Sequence, residues 1–206
     1  MAVVEREDPP VFGDPLIDLF VYGDPVTQGS VFKQGGVYRN DHSEDLMWWR
    51  QRVEAGVRRS RAAGVATATG PVVATITFMT ARPVTCPQWR KFPTERASSS
   101  ARTGRRYGGD IDKLERALYD ALAATESTGQ TQALKGVRVT RGAEVMADDS
   151  LVIAHDVRKV IAPSNDESGV RVELWAVDPE AEKAGWVPVP SWPGWRYVSY
   201  ADVVAH

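Results

Sequence analysis

Asp110 and Asp112 stand two residues apart, and Asp148 and Asp149 are adjacent carboxylates further along the chain. Side chains at i and i+2 point the same way on an extended backbone. Gly108-Gly109 gives the chain freedom in how it enters the segment that follows. Asp110 and Asp112 are therefore expected to converge at a strand-to-helix junction, with a turn aiming Asp148 or Asp149 at the same point. Clustered carboxylates repel unless a cation lies among them. An all-oxygen set suits Mg²⁺ or Mn²⁺, and such an ion can activate water and neutralise charge in phosphodiester hydrolysis. The same residues also have plainer uses. Asp112 with Glu115 has the spacing of a capping box, and Asp148-Asp149-Ser150 has the composition of a simple turn.

Positive charge is concentrated near these acids. Arg82, Arg90, Lys91, Arg96, Arg102, Arg105 and Arg106 lie in a stretch with Glu95 as its lone acid, and Arg58, Arg59 and Arg61 form a second group. The net charge of −2 hides this local potential, which is of the kind that attracts a phosphate backbone.

The elements that must hold these residues follow from hydrophobic period and turn chemistry. Residues 1–16 read as an N-terminal arm. Ile17 to Tyr22 form a strand ending at Gly23-Asp24-Pro25, and Val37 to Arg39 a short second one. A helix starts at Ser43, carries Leu46, Trp49, Val53 and Val57 at three-to-four spacing, and stops near Gly64. Val72 to Thr80 is a β-branched and aromatic strand. Residues 81–109 are read as a long loop. In the next helix Leu114, Ala117, Leu118, Ala121 and Leu122 mark a core face, with Asp112 and Arg116 opposite. Residues 123–147 are polar, with a strand at Val137 to Thr140. Strands from Leu151 to Ile161 and from Val170 to Val177 are expected to pair with each other through Pro163–Gly169. Residues 178–206, with Trp186, Trp192 and Trp195 among prolines, read as a tail on the surface or on an oligomer partner.

The stretch Asp110-Ile-Asp-Lys-Leu-Glu-Arg-Ala-Leu-Tyr-Asp-Ala-Leu122, then Asp148-Asp-Ser-Leu-Val-Ile153 and a later Lys159, resembles the RusA family of Holliday junction resolvases. That family reads Asp-x-Asp-Asn-Leu-x-Lys-x-x-x-Asp-Ala-Leu, then Asp-Asp-x-x-Val/Ile, then a lysine at a strand end. Tyr22-Gly-Asp-Pro-Val-Thr-Gln-Gly29 is similar to its opening. The resemblance spans about residues 17–177. It implies a small α+β homodimer with a mixed or antiparallel sheet and two main helices. It implies a Mg²⁺-dependent endonuclease that resolves branched DNA in recombination or repair by paired cuts. It also implies that Asp110, Asp112 and one or both of Asp148 and Asp149 hold the ion, Asp149 being favoured, with Arg116 as the basic residue at the phosphate. Lys113, Lys159, Arg102, Arg105 and Arg106 are the expected DNA contacts. Lys113 stands where the family has Asn, Arg116 where it has Lys, and the 123–147 link is longer than usual. Arg116 can hold a phosphate but not donate a proton at neutral pH.

Distance prunes the motif. Asp120 lies eight residues beyond Asp112, about 12 Å along a helix, and is expected to pair with Arg116 or face solvent. Lys159 lies ten residues beyond Asp149, about 33 Å along a strand, which leaves it a backbone-phosphate contact. His155, in alternation with Leu151, Ile153 and Val157, is read as a half-buried histidine and Trp49 as core. A single cysteine, Cys86, fits a reducing cytoplasm, and Glu5, Arg6, Glu7 and Asp8 do not suit a signal peptide. Two other classes remain open: a junction-binding protein with weak or no catalysis, and a metal-stabilised structural domain unrelated to nucleic acid.

Overall fold

The computed structural model describes residues 8–28, 31–34, 37–40, 43–60, 66–82, 86–92, 110–123, 125–128, 138–141, 143–191 and 194–204. The strands are β1 (Ile17–Tyr22), β2 (Val31–Gln34), β3 (Val37–Asn40), β4 (Val72–Thr80), β5 (Thr125–Thr128), β6 (Arg138–Arg141), β7 (Val152–Ile161), β8 (Gly169–Ala176), β9 (Trp186–Pro190) and β10 (Trp195–Ser199). The helices are α1 (Ser43–Ser60), α2 (Ile111–Leu122), α3 (Pro179–Lys183) and α4 (Tyr200–Val204). The chain is α+β, with a mixed four-stranded sheet in the order β1-β8-β4-β7. The β1–β8 and β8–β4 pairs are antiparallel, and β4–β7 is parallel.

The expected direct pairing of the strands here called β7 and β8 is not what forms, because β4 lies between them. Composition accounts for the order. Val170, Val172 and Leu174 of β8 and Val72, Ala74, Ile76 and Phe78 of β4 are all 0% exposed, as suits the two central strands under the helices. β7 carries His155, Asp156, Arg158 and Lys159. Charged side chains are tolerated at a sheet edge and deter further pairing there.

One sheet face carries α1 and α2. Leu46, Trp49, Val53 and Val57 of α1 and Leu114, Ala117, Leu118, Ala121 and Leu122 of α2 form one core with β1, β4 and β8. Each fully buried aliphatic side chain in such a core contributes about 1.5–3 kcal/mol. The opposite face is covered by residues expected to form a tail. β9 and β10 pair antiparallel, and Trp195 and Tyr197 pack on Val73 and Val177. The Trp195 indole N–H donates to Thr75 Oγ1 at 3.1 Å, while Phe12 stacks on Tyr197 with ring centroids 4.3 Å apart. The C-terminal segment and part of the N-terminal arm therefore belong to the fold.

β5 and β6 form a separate two-stranded ladder. The chain then returns to the end of α2: the Ala143 and Val145 N–H groups donate to the Ala121 and Leu122 carbonyls at 2.8 and 2.9 Å. Met146 is 0% exposed and bridges Ala68 and Ala123. This attachment determines where Asp148 and Asp149 lie.

Candidate functional site

α2 has two faces because its sequence has two sets of residues at helical spacing. On the other side of the helix Asp112, Glu115, Arg116, Tyr119 and Asp120 recur at i, i+3, i+4, i+7 and i+8, Tyr119 being itself buried. Three neighbours border this polar face: His155 of β7, Arg50 of α1, and the 3-10 turn Asp149–Leu151 that follows the Met146 attachment. His155 Nδ1 is 3.2 Å from the Tyr119 hydroxyl and 3.6 Å from Glu115 Oε1.

Asp110 precedes the first turn of α2, with φ −58° and ψ 137° and no side-chain cap bond. Its Oδ2 is 3.3 Å from Lys113 Nζ. Asp112 is already helical and exposed, so the two do not share the extended geometry that would turn both the same way. The capping-box role for Asp112 is also not realised, because Asp110 occupies the cap position. Asp148 does what a turn residue does: it caps the 3-10 turn, accepting from the Ser150 N–H at 2.8 Å. Hydrogen bonding from Ser150 holds its carboxyl below the ordinary carboxylate value.

Asp149 lies close enough to Asp120 for their charges to repel. Asp120 does not pair with Arg116 as its main partner. It forms an ion pair with Arg50 from α1. Its carboxyl is nevertheless raised from the ordinary value, because burial outweighs the attraction of Arg50, and Asp149 adds to the rise. Burial likewise raises Glu115, against the pull of His155 and with a further push from Asp112. Burial raises the Tyr119 hydroxyl too.

The four candidate aspartates thus form two pairs, Asp110 with Asp112 at the start of α2 and Asp148 with Asp149 beside its second half. Among the described residues no three His, Cys, Asp or Glu side chains gather around a point suited to one metal ion. The reason is local: α2 covers about 12 Å between Asp112 and Asp120, and Ala143–Met146 fixes the returning chain at the Asp120 end. The donors themselves suit an oxygen-preferring ion. Mg²⁺ commonly takes one or two carboxylates and fills its other positions with water and substrate phosphate.

Arg116 is exposed on the same face as Asp112. Lys159 is paired in register with Phe78 and shares the helix-facing side of β7 with His155 and Val157. From Asp149 it is separated by the length of an unbroken strand, as its spacing required. A register shift at the start of β7 takes Ile153 out of the expected alternation with His155, leaving it 53% exposed. Arg102, Arg105 and Arg106 lie outside the described residues, as does Trp192.

Glu115, Tyr119 and Arg50 were not picked out as site residues from sequence. Glu115 and Tyr119 could have been, since both keep the helical spacing of Asp112 and Arg116. Arg50 could not, because its meeting with Asp120 depends on how α1 crosses α2. No protein-family model, curated protein or solved structure matches the chain.

Proposed function

We propose that the chain is a Mg²⁺- or Mn²⁺-dependent endodeoxyribonuclease that cuts four-way or other branched DNA by paired phosphodiester cleavage. The observation that carries this reading is the ordered aspartate set on two adjoining elements, with Arg116 on the outward face of the helix between the pairs. Asp110 and Asp112 would hold the ion through one or two carboxylates, with water and substrate phosphate filling its other positions, and it would supply water activation and charge neutralisation. Asp148 or Asp149 would join them only if the two pairs closed on bound DNA. Arg116 would hold the scissile phosphate through its planar fork of donors. Lys113 and Lys159 would hold neighbouring phosphates. A homodimer would present two sites to two symmetry-related strands.

The test is cleavage of a synthetic four-way junction in Mg²⁺. Asp112→Asn is expected to abolish cutting while junction binding stays within about threefold. Cutting at the parent rate by Asp112→Asn would sink the assignment.

A second reading is a junction-binding protein with weak or no catalysis. It is favoured by the separation of the two aspartate pairs and by Lys113 and Arg116 standing in place of Asn and Lys. A gel shift of junction DNA with no cleavage product at any Mg²⁺ or Mn²⁺ concentration would select it.

A further inference from the structure

A groove of about 530 Å³ opens between α1 and the ends of β1 and β8, lined by Tyr22, Gly23, Arg52, Arg59, Asn165 and Asp166 among others. Its size lies within the ordinary range of ligand pockets, about 300–1,000 Å³. Arg52 and Arg59 are seven residues apart on α1 and so share one side of it. Both are exposed, and neither forms an ion pair with a described carboxylate; Asp166 is the acid in the lining. Arg50 and Arg52, two residues apart, project in divergent directions. Arg50 reaches Asp120 on α2, so the groove lies on the other flank of α1 from the aspartates.

The turn after β1 passes close to the Arg52 guanidinium. Gly23 has φ +114°, and a Cβ there would meet Arg52 Nη1 at 2.3 Å. Tyr22 is 66% exposed, and its ring is braced edge-on by Phe20 with centroids 4.6 Å apart. The surface continues past Asn165, whose Oδ1 accepts from the Arg82 N–H at 3.1 Å. Arg82 in turn donates to the Pro87 carbonyl at 2.8 Å. This holds the segment carrying Trp89 and Phe92, which are 73% and 64% exposed. Cations with no carboxylate partner among the described residues, beside a solvent-facing aromatic ring, are what a single strand needs: charge for its phosphates and a flat face for its bases.

We propose that this groove binds single-stranded nucleic acid, with Arg52 and Arg59 on consecutive phosphates and Tyr22 stacked on a base. Under the proposed function, the strand would be an unpaired arm or flank of the branched substrate, held apart from the cutting site. The groove itself requires no metal.

The test is fluorescence anisotropy of the full chain with a labelled oligothymidylate in EDTA, where strand binding is read separately from cleavage. Arg52→Gln with Arg59→Gln should weaken binding and flatten the dependence of log K on log salt by about 1.4, as expected for two lost single-strand phosphate contacts. Tyr22→Ala should weaken binding roughly 5- to 150-fold, the loss of one stacked base, while Tyr22→Phe should retain it. All three positions are exposed, so circular dichroism should show an unchanged fold. Unchanged affinity and salt slope in the arginine double variant would overturn the proposal. So would equal losses in Tyr22→Phe and Tyr22→Ala, or binding of inorganic phosphate without the oligonucleotide.

Discussion

Asp120 is half-buried, repelled by Asp149 and countered chiefly by Arg50 with a smaller attraction from Arg116, so the charge balance at the second half of α2 depends most on Arg50. Removing it in Arg50→Met should cost about 1–2 kcal/mol, between the ranges for exposed and buried pairs. Adding Asp120→Asn should restore most of that loss; urea denaturation of the single and double variants measures both. Glu115 gives a prediction with a pH sign. Its folded carboxyl titrates above the ordinary 4.5 because burial disfavours the charge. The folded state therefore holds its proton more tightly than the unfolded chain, and stability from this group falls as pH rises from about 4.5 through the raised value. Glu115→Gln is expected to raise Tm at pH 8 and change it little at pH 4. An equal shift at both pH values would contradict the burial account. Asp110, Asp112, Asp148, Asp149 and Arg116 were legible as chemistry-bearing residues from their types and order. Their division into two pairs was not, because helix rise and the docking of a distant segment set it.

At the scale of elements, close approach matters more than propensity. A Cβ at Gly169 would lie 2.3 Å from the Val21 carbonyl oxygen and 2.7 Å from Phe20 Cζ, so β8 can pair with β1 only with glycine there. Gly169→Ala should destabilise the fold by at least about 2 kcal/mol, and a Tm within a degree of the parent would contradict that packing. β1, β4 and α2 were readable almost to their ends, since each announces itself by a local period: Val72–Thr80 by β-branching, Leu114–Leu122 by the i, i+3, i+4 stripe. The neighbour of β8 was not readable. Pairing with β7 through a short connection satisfies the same local pattern. The place of β4 between them is set by long-range pairing, parallel with β7 and antiparallel with β8, which no local pattern encodes. Ile153 shows the same limit, since a single register shift moves it out of an alternation that the sequence alone suggests.

The whole molecule is a sheet covered on both faces, by α1 and α2 on one and in part by the β9–β10 hairpin on the other. Prolines and tryptophans in the last residues give no period, so the sequence alone reads as a tail there. Its Trp195 and Tyr197 instead seal the back of β4. The two proposed DNA-facing regions lie on different flanks of α1, the aspartates toward α2 and the arginine groove away from it. That arrangement suits a substrate with more than one arm. No described helix is long and apolar enough to cross a membrane. The most direct test of the central claim is incubation of an end-labelled four-way junction with the full chain in Mg²⁺ and in EDTA, with products resolved on a denaturing gel. The account predicts paired nicks in opposing strands in Mg²⁺, none in EDTA, and none with Asp110→Asn. Equal cutting in EDTA, or full cutting by Asp110→Asn, would contradict it.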